Sequence, residues 1–282
     1  MTQRSIVEIM PAVDTQDGAG VRLQRALGAR PGARLDPLLM LDAFSSDNPD
    51  DYIAGFPSHP HRGFETVTYI LDGHMLHEDH LGNRGDLVAG GVQWMTAGRG
   101  IIHSEMPQQT EGRLRGFQLW INLPAREKMK PAGYRDIGPE EIPCLQLAQG
   151  GQIKAIAGQL ELEGKQVAGP IAGGATEPLY LDVSLPSRSA LTLPVPAGHN
   201  LLIYVFEGTL LLGDQAVPTA TAVVLGEGNE VALRTEDSAA RCLLIGGKPL
   251  HEPVVQYGPF VMNTRQEIEQ AVHDYQTGRL TA

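Results

Sequence analysis

Short segments rich in β-branched and aromatic residues, separated by glycine-containing turns, recur along most of the chain. Residues 66–71 run into Asp72-Gly73, a dipeptide typical of β-hairpins, and residues 200–206 run into Glu207-Gly208 in the same way. The chain has 33 glycines and 20 prolines in 282 residues, which favours turns between strands over long helices. Strands this short and this regularly spaced predict an all-β fold of sandwiches or barrels.

The strand-like segments form two blocks with a similar rhythm, one ending near residue 123 and the other covering residues 180–245. We therefore predict two similar antiparallel β-barrel (jelly-roll) domains, at residues 1–135 and 136–282. The second domain is expected to end in one helix over residues 264–280. Thr264 and Glu267 form a capping-box pattern at its start, and Gly278 is placed to end it.

Composition and charge exclude several classes of protein. A net charge of −11 argues against direct nucleic-acid binding, because that binding depends on neutralising phosphates. The N-terminal residues lack the apolar stretch of a signal peptide, and the longest apolar run, residues 201–206, is too short to span a bilayer. Cys144 and Cys242 are isolated and are expected to be reduced, buried thiols, with a single disulfide between them as the alternative. These features together predict a cytoplasmic protein without membrane contact.

Two short motifs carry residue types that bind metals. His59 and His61 are two residues apart, and so are His103 and Glu105. Residues i and i+2 of a strand point to the same face, roughly 6 to 7 Å apart. If the two strands pair, three imidazoles and a carboxylate converge and predict a metal site. The alternative is that these are surface histidines and that His59-Pro60-His61 is a turn.

Three segments resemble the pirin family of the cupin superfamily. They are His59-Pro-His-Arg-Gly-Phe-Glu-Thr66, then Gly91-Val-Gln-Trp-Met-Thr-Ala-Gly-Arg-Gly-Ile-Ile-His-Ser-Glu105, and Tyr257-Gly-Pro-Phe-Val-Met-Asn-Thr264 with the later Asp274-Tyr-Gln276. The resemblance implies a bicupin with a single metal ion, usually iron, in its N-terminal barrel. It also implies the metal ligands His59, His61, His103 and Glu105.

Glu65 is the alternative carboxylate ligand. Most cupins place a ligand glutamate a few residues after the His-x-His pair, whereas pirin-like proteins use the carboxylate two residues after the last histidine. Strand alternation allows both Glu65 and Glu105, but Gly63 favours a bulge that would change the face of Glu65. We predict that Glu105 is the ligand and that Glu65 is a supporting or structural acid.

The resemblance further implies quercetin 2,3-dioxygenase activity, with a small aromatic flavonol and dioxygen as substrates. Glu105 would take the proton of the flavonol 3-hydroxyl, and dioxygen would add across the C2–C3 bond of the ring, which opens with release of carbon monoxide. Fe(II) is the expected ion, although the ligand types also suit Cu, Ni, Co, Zn or Mn. The expected pocket walls, which as an alternative are plain barrel core, are Phe56, Phe64, Trp94, Met95 and Met106.

Two rival functions remain open from the sequence. One is a metal-bearing, redox-sensitive regulatory protein that acts through protein partners without turnover, and the other is a different cupin reaction. A monomer is expected in either case.

Other residues of the same region have alternative roles. His74, His77 and His80 alternate faces, so surface positions are favoured over support of the metal site. Arg62 and Arg99 would either steer an anionic substrate or lie solvated in loops.

Overall fold

The computed structural model describes residues 2–30 and 32–282, and its regular structure is almost entirely β. The strands of the first part of the chain are β1 (Ile6–Pro11), β2 (Val13–Asp17), β3 (Val21–Leu27), β4 (Leu38–Ser46), β5 (Phe56–His61), β6 (Phe64–Asp72), β7 (His74–Asp79), β8 (Arg84–Val88), β9 (Val92–Thr96), β10 (Ile101–Pro107), β11 (Leu114–Asn122), β12 (Gly133–Ile137) and β13 (Cys144–Gln146). The remaining elements are β14 (Gln152–Ala157), β15 (Gln159–Leu162), β16 (Lys165–Ala168), β17 (Leu179–Leu185), β18 (Ala190–Pro194), β19 (Asn200–Glu207), β20 (Thr209–Leu212), β21 (Gln215–Pro218), β22 (Thr221–Leu225), β23 (Glu230–Arg234), β24 (Ala240–Gly247), β25 (Val255–Tyr257), β26 (Phe260–Met262) and the helix α1 (Arg265–Gln276). Three short 3₁₀ turns lie at Pro49–Asp51, Ala125–Glu127 and Pro139–Glu141.

The chain forms two compact units whose segments alternate along the sequence. The N-terminal barrel contains Asp14–Arg25, Leu39–Pro139 and Leu250–Ala282, and the C-terminal barrel contains Met1–Val13, Ala26–Leu38 and Glu140–Pro249. The domain boundary expected from the sequence, between residues 135 and 136, stays a prediction.

Both units have the same strand arrangement. The N-terminal barrel has a seven-stranded sheet in the order β12-β9-β6-β11-β4-β3-β2, a four-stranded sheet in the order β5-β10-β7-β8, and the hairpin β25-β26. The C-terminal barrel has a seven-stranded sheet β1-β22-β19-β24-β17-β14-β13, a four-stranded sheet β18-β23-β20-β21, and the hairpin β15-β16. The predicted all-β fold of two similar antiparallel barrels is therefore confirmed.

The interior of the C-terminal barrel is filled with aliphatic side chains. Leu181, Val183, Leu201, Ile203 and Leu244 are each no more than 1% exposed and belong to one apolar cluster. Such a core leaves no group of metal-binding side chains there, and among the described residues both candidate groups lie in the N-terminal barrel.

The two cysteines are free, as predicted, but their surroundings differ. Cys242 is buried in the core of the C-terminal barrel, where burial raises the pKa of its thiol. Cys144 lies on the edge strand β13 and is exposed, so the prediction of a buried thiol was wrong at this position. Side chains alternate between the two faces of β13, and Cys144 lies on the exposed face, which a count of isolated cysteines does not show.

The C-terminal helix begins as predicted. The Thr264 hydroxyl accepts from the backbone N–H of Glu267, and the Glu267 carboxylate accepts from the backbone N–H of Thr264. Ile268 and Ala271 are buried in a cluster with residues of β26. The helix ends at Gln276 rather than residue 280, because Gly278 takes a left-handed φ of 69°. Nowhere in the described ranges is a helix long and apolar enough to cross a membrane.

Candidate metal centre

Strands β5 and β10 bring three histidines together in the N-terminal barrel. The strands are antiparallel, and His103 lies opposite His59. The ring centroids are 4.7 Å apart for His59 and His61, 4.3 Å for His59 and His103, and 4.9 Å for His61 and His103. One nitrogen of each ring lies within 4.8 Å of the others, so the three side chains form a group that could hold a metal ion.

Glu105 belongs to a second group that overlaps the first at His103. Its carboxylate oxygen, a nitrogen of His77 and a nitrogen of His103 lie within 4.8 Å of one another. The carboxylate is 3% exposed and accepts from Thr68 Oγ1 at 3.1 Å and from Gln118 Nε2 at 2.9 Å. The four predicted ligands are thus neighbours, although Glu105 is not part of the compact group of three histidines.

Glu65 lies on the face of β6 opposite to Thr68, the residue that contacts Glu105. Gly63 has a φ of 92° between β5 and β6, which interrupts the extended chain and changes which side chains of β6 face β5. Thr68 contacts Glu105, and Glu65 is three residues away on the same strand and therefore points to the opposite face. Its carboxylate accepts from Trp94 Nε1 at 3.2 Å and Thr96 Oγ1 at 2.7 Å.

The protonation and hydrogen bonding of the histidines suit metal binding. Burial lowers the pKa of His61 and His103 well below the usual value, and the neighbouring histidines lower both further. Both rings are therefore neutral near pH 7, which is the form that binds metals. His59 Nδ1 donates to the Pro57 carbonyl at 2.8 Å, which leaves Nε2 for other partners. Among the described residues, His61 Nδ1 and His103 Nε2 are buried without a hydrogen-bond partner. Buried nitrogens of this kind are costly unless a ligand satisfies them, so the residues fit a metal ion.

The five predicted wall residues lie in different surroundings. The Phe64 ring is 5.1 Å from that of His61. The Trp94 indole donates to Glu65 on the opposite face of the sheet, and Met95 is buried in a cluster with Ile101. Phe56 and Met106 are partly exposed, and Phe56 packs on another apolar cluster of the barrel.

Trp120 is a neighbour of the site that the sequence reasoning missed. Its ring is 5.3 Å from His61 and 4.3 Å from Phe64, and its indole N–H donates to Gln118 Oε1 at 3.3 Å. Gln118 and Trp120 are two residues apart on β11 and therefore share one face of the strand. The sequence alternation shows this shared face, but only the contact of Gln118 with Glu105 shows that the face is directed to the site.

The prediction of surface positions for three further histidines was wrong for His77. Strand β7 pairs with β10, so His77 lies opposite Glu105 and is only 3% exposed. Its Nε2 is in hydrogen-bond contact with His103 Nδ1. His80 is exposed, and His74 is partly exposed and contacts Asp86 at 3.1 Å.

Arg62 is neither a solvated loop residue nor a side chain that steers substrate. It is 3% exposed and donates to the Asp274 carboxylate at 2.7 Å, to the Leu280 carbonyl at 3.0 Å and to the Arg99 carbonyl. The residue beside His61 therefore ties β5 to the end of the chain. Arg99 itself is exposed, as a solvated loop arginine would be.

Lys128 is a buried cation close to the same turn. Its side chain is 1% exposed, and Nζ donates to the Gly63 carbonyl at 2.7 Å, Asn122 Oδ1 at 2.6 Å and the Val261 carbonyl at 2.9 Å. These bonds join β11 and β26 to the turn that follows His61. Nothing in the local sequence around Lys128 marks this lysine as buried.

We expect Lys128→Met to lower the free energy of unfolding by about 2 to 4 kcal/mol, because it leaves three buried acceptors without a donor. Chemical denaturation at pH 7 measures this. The matched control is Lys130→Met, since Lys130 is partly exposed and contacts Glu65 at 3.6 Å and Glu127 at 3.4 Å. Its loss should stay below about 1 kcal/mol. Equal small losses for both variants would contradict the structural role of Lys128.

The pH dependence provides a second readout of Lys128. Burial lowers the pKa of its ammonium from 10.5 to about 8, so between these values the unfolded chain binds the proton and the folded chain does not. The free energy of unfolding therefore rises with pH across this window, by up to about 3 kcal/mol relative to Lys128→Met. A stability difference that is constant from pH 7 to 10.5 would contradict this.

Two antiparallel jelly-roll barrels, one of them with a buried histidine and glutamate cluster, define a bicupin with a candidate metal centre. The chain belongs to the pirin family, since the family model described as Pirin matches residues 20–121 and that described as Pirin C-terminal cupin domain matches residues 180–281.

Similar proteins cover the whole chain. A Pseudomonas aeruginosa protein named "Putative quercetin 2,3-dioxygenase" is 56% identical over 280 residues, which cover 98% of each chain. Human pirin is 40% identical over 273 residues, which cover 94% of this chain and 90% of that protein. The crystal structure of quercetin 2,3-dioxygenase from Acinetobacter baumannii has a TM-score of 0.91 and 34% identity, and it covers 100% of this chain and 99% of that one.

Proposed function

We propose that this protein is a metal-dependent dioxygenase that opens the ring of a flavonol with dioxygen, as quercetin 2,3-dioxygenases do. The observation that carries the proposal is the group of His59, His61 and His103, of which His61 and His103 are buried, with Glu105 at its edge. The names of the Pseudomonas aeruginosa and Acinetobacter baumannii relatives support the same reaction class.

In this proposal His59, His61, His103 and Glu105 hold one divalent ion, with Fe(II) preferred. A bound ion of this type supplies Lewis acidity and a redox centre. All other groups in the proposed reaction are side chains of the protein. Because imidazole and carboxylate ligands together suit several first-row metals, the ligand types allow Fe(II) without selecting it.

Glu105 is the proposed base for the 3-hydroxyl of the flavonol. The hydroxyl of Thr68 and the amide of Gln118 each donate to its carboxylate and so hold its orientation. Gln118 is held in turn by the indole of Trp120. The proton therefore moves from the substrate hydroxyl to an oxygen that is already positioned.

Phe64 and Trp120 are the proposed apolar wall beside His61. Both are no more than 8% exposed, and they pack with Leu39, Met40 and Val261. A flat aromatic substrate would contact such a surface, which also keeps water away from the reacting atoms. Of the five wall residues predicted from the sequence, Phe64 is the one whose ring contact with His61 supports a role in the pocket.

The test is oxygen uptake with quercetin by protein reconstituted with Fe(II), with the metal content and carbon monoxide measured in the same samples. Metal-dependent uptake, with one equivalent of carbon monoxide per ring opened, is the expected result. Metal-free protein is the control. A fully metallated protein that consumes no oxygen with quercetin would contradict the proposal and would favour the regulatory alternative.

A further inference from the structure

His77 is a buried polar side chain that has no role in the proposed reaction. It lies on β7 opposite Glu105, and its ring is 4.6 Å from that of His103 and 4.9 Å from that of Tyr134. On its other side it lines a polar cleft of about 370 Å³, together with Gln93, Tyr134 and Asp136. His77 therefore contacts His103 and also lines this cleft.

Metal binding by His103 would determine which of the two rings, His77 or His103, donates the hydrogen bond between them. Two ring nitrogens in hydrogen-bond contact cannot both carry a proton, so one of them offers its lone pair to the N–H of the other. In the contact, one ring must donate to the other. His103 Nδ1 is in contact with His77 Nε2, whereas His103 Nε2 is buried without a hydrogen-bond partner among the described residues.

A direct metal site at His77, His103 and Glu105 is the competing interpretation of the same residues. The two imidazole nitrogens are in direct hydrogen-bond contact, which leaves no space for an ion between them. The geometry therefore favours a hydrogen bond between the histidines over a shared ion.

We propose that His77 is a positioning residue that accepts a hydrogen bond from His103 Nδ1–H and so holds the His103 tautomer whose Nε2 lone pair faces the metal. This inference rests on the proposed metal site. Histidine ligands usually donate their second ring N–H to a carboxylate, a carbonyl or water, and such partners contribute about 10- to 100-fold in metal affinity. Here a second imidazole takes that place.

The experiment compares His77→Phe, which removes the acceptor, with His77→Gln, whose amide oxygen can take the position of Nε2. Affinities for Co²⁺ and Zn²⁺ are measured by chelator competition. We expect His77→Phe to weaken binding about 10- to 100-fold and His77→Gln to restore most of it. His74→Phe, on the same strand and partly exposed, is the matched control and should bind like the original chain. A merely structural role would lower the thermal stability of the metal-free protein without this difference between Phe and Gln.

A second measurement needs no variant. Long-range ¹H–¹⁵N correlation spectra of the Zn²⁺-loaded protein report which nitrogen of His103 carries the proton, and the inference requires Nδ1. Protonation at Nε2, or unchanged affinity in His77→Phe, would overturn it while leaving the metal site intact. Failure of the unmodified protein to bind either ion would instead overturn the proposed function on which it rests.

Discussion

Replacing His103 with alanine is expected to weaken metal binding by at least about 10²- to 10³-fold. The estimate follows from sharing an apparent binding energy of about 10 to 16 kcal/mol among four ligands, as in structural zinc sites. His103 is expected to have a larger effect than His59 or His61, because it also contacts a fourth histidine, His77. Its removal also leaves the buried Nε2 of His77 without its contact.

Isothermal titration with Fe²⁺ under anaerobic conditions, or with Co²⁺ in air, measures the change. His80→Ala is the matched control, because His80 is exposed and its ring nitrogen makes only a long contact of 3.4 Å with the backbone N–H of Ile102. This variant should bind metal like the original chain. If His103→Ala retained full affinity, the site would have to lie elsewhere.

Glu105→Gln is expected to reduce turnover by about 10²- to 10⁴-fold, since an amide has no basicity to take the proton of the substrate. Metal affinity should fall much less, because the three histidines stay in place. The glutamine keeps the shape of the side chain, and its oxygen can still accept from either Thr68 or Gln118. The largest loss is therefore expected in kcat.

Steady-state oxygen uptake with quercetin, normalised to bound metal, gives this number. Glu65→Gln provides the control, because its carboxylate lies on the opposite face of β6 with Trp94 and Thr96. That variant should keep its turnover within a few fold. Equal losses in the two variants, or full activity of Glu105→Gln, would contradict the role of Glu105 as base.

Features with a local pattern could be predicted from the sequence. A turn forms at Asp72-Gly73 between β6 and β7, and Gly73 takes the left-handed φ of 101° that favours glycine there. The two strands lie in different sheets, so the chain crosses between sheets at this turn and the expected hairpin was wrong. The capping box of α1 forms between Thr264 and Glu267 as their spacing indicates. The i, i+2 spacing of His59 and His61 also places both rings on one face of β5. Each of these depends on residues close in sequence.

Features that depend on pairing between distant strands could not be predicted. His77 is buried because β7 pairs with β10, and a strand pattern shows which residues share a face but not which face is inside. Arg62 and Lys128 are buried for a similar reason, since their partners Asp274 and Val261 are 212 and 133 residues away. A charged side chain in a loop carries no local sign of such partners.

Anomalous diffraction from crystals of the protein loaded with Fe(II) tests the central claim most directly. The proposed centre predicts one peak at the iron edge, about 2.0 to 2.3 Å from ring nitrogens of His59, His61 and His103 and from a carboxylate oxygen of Glu105. A peak bound by His77, a peak coordinated by Glu65, or no ordered ion in the N-terminal barrel would contradict it.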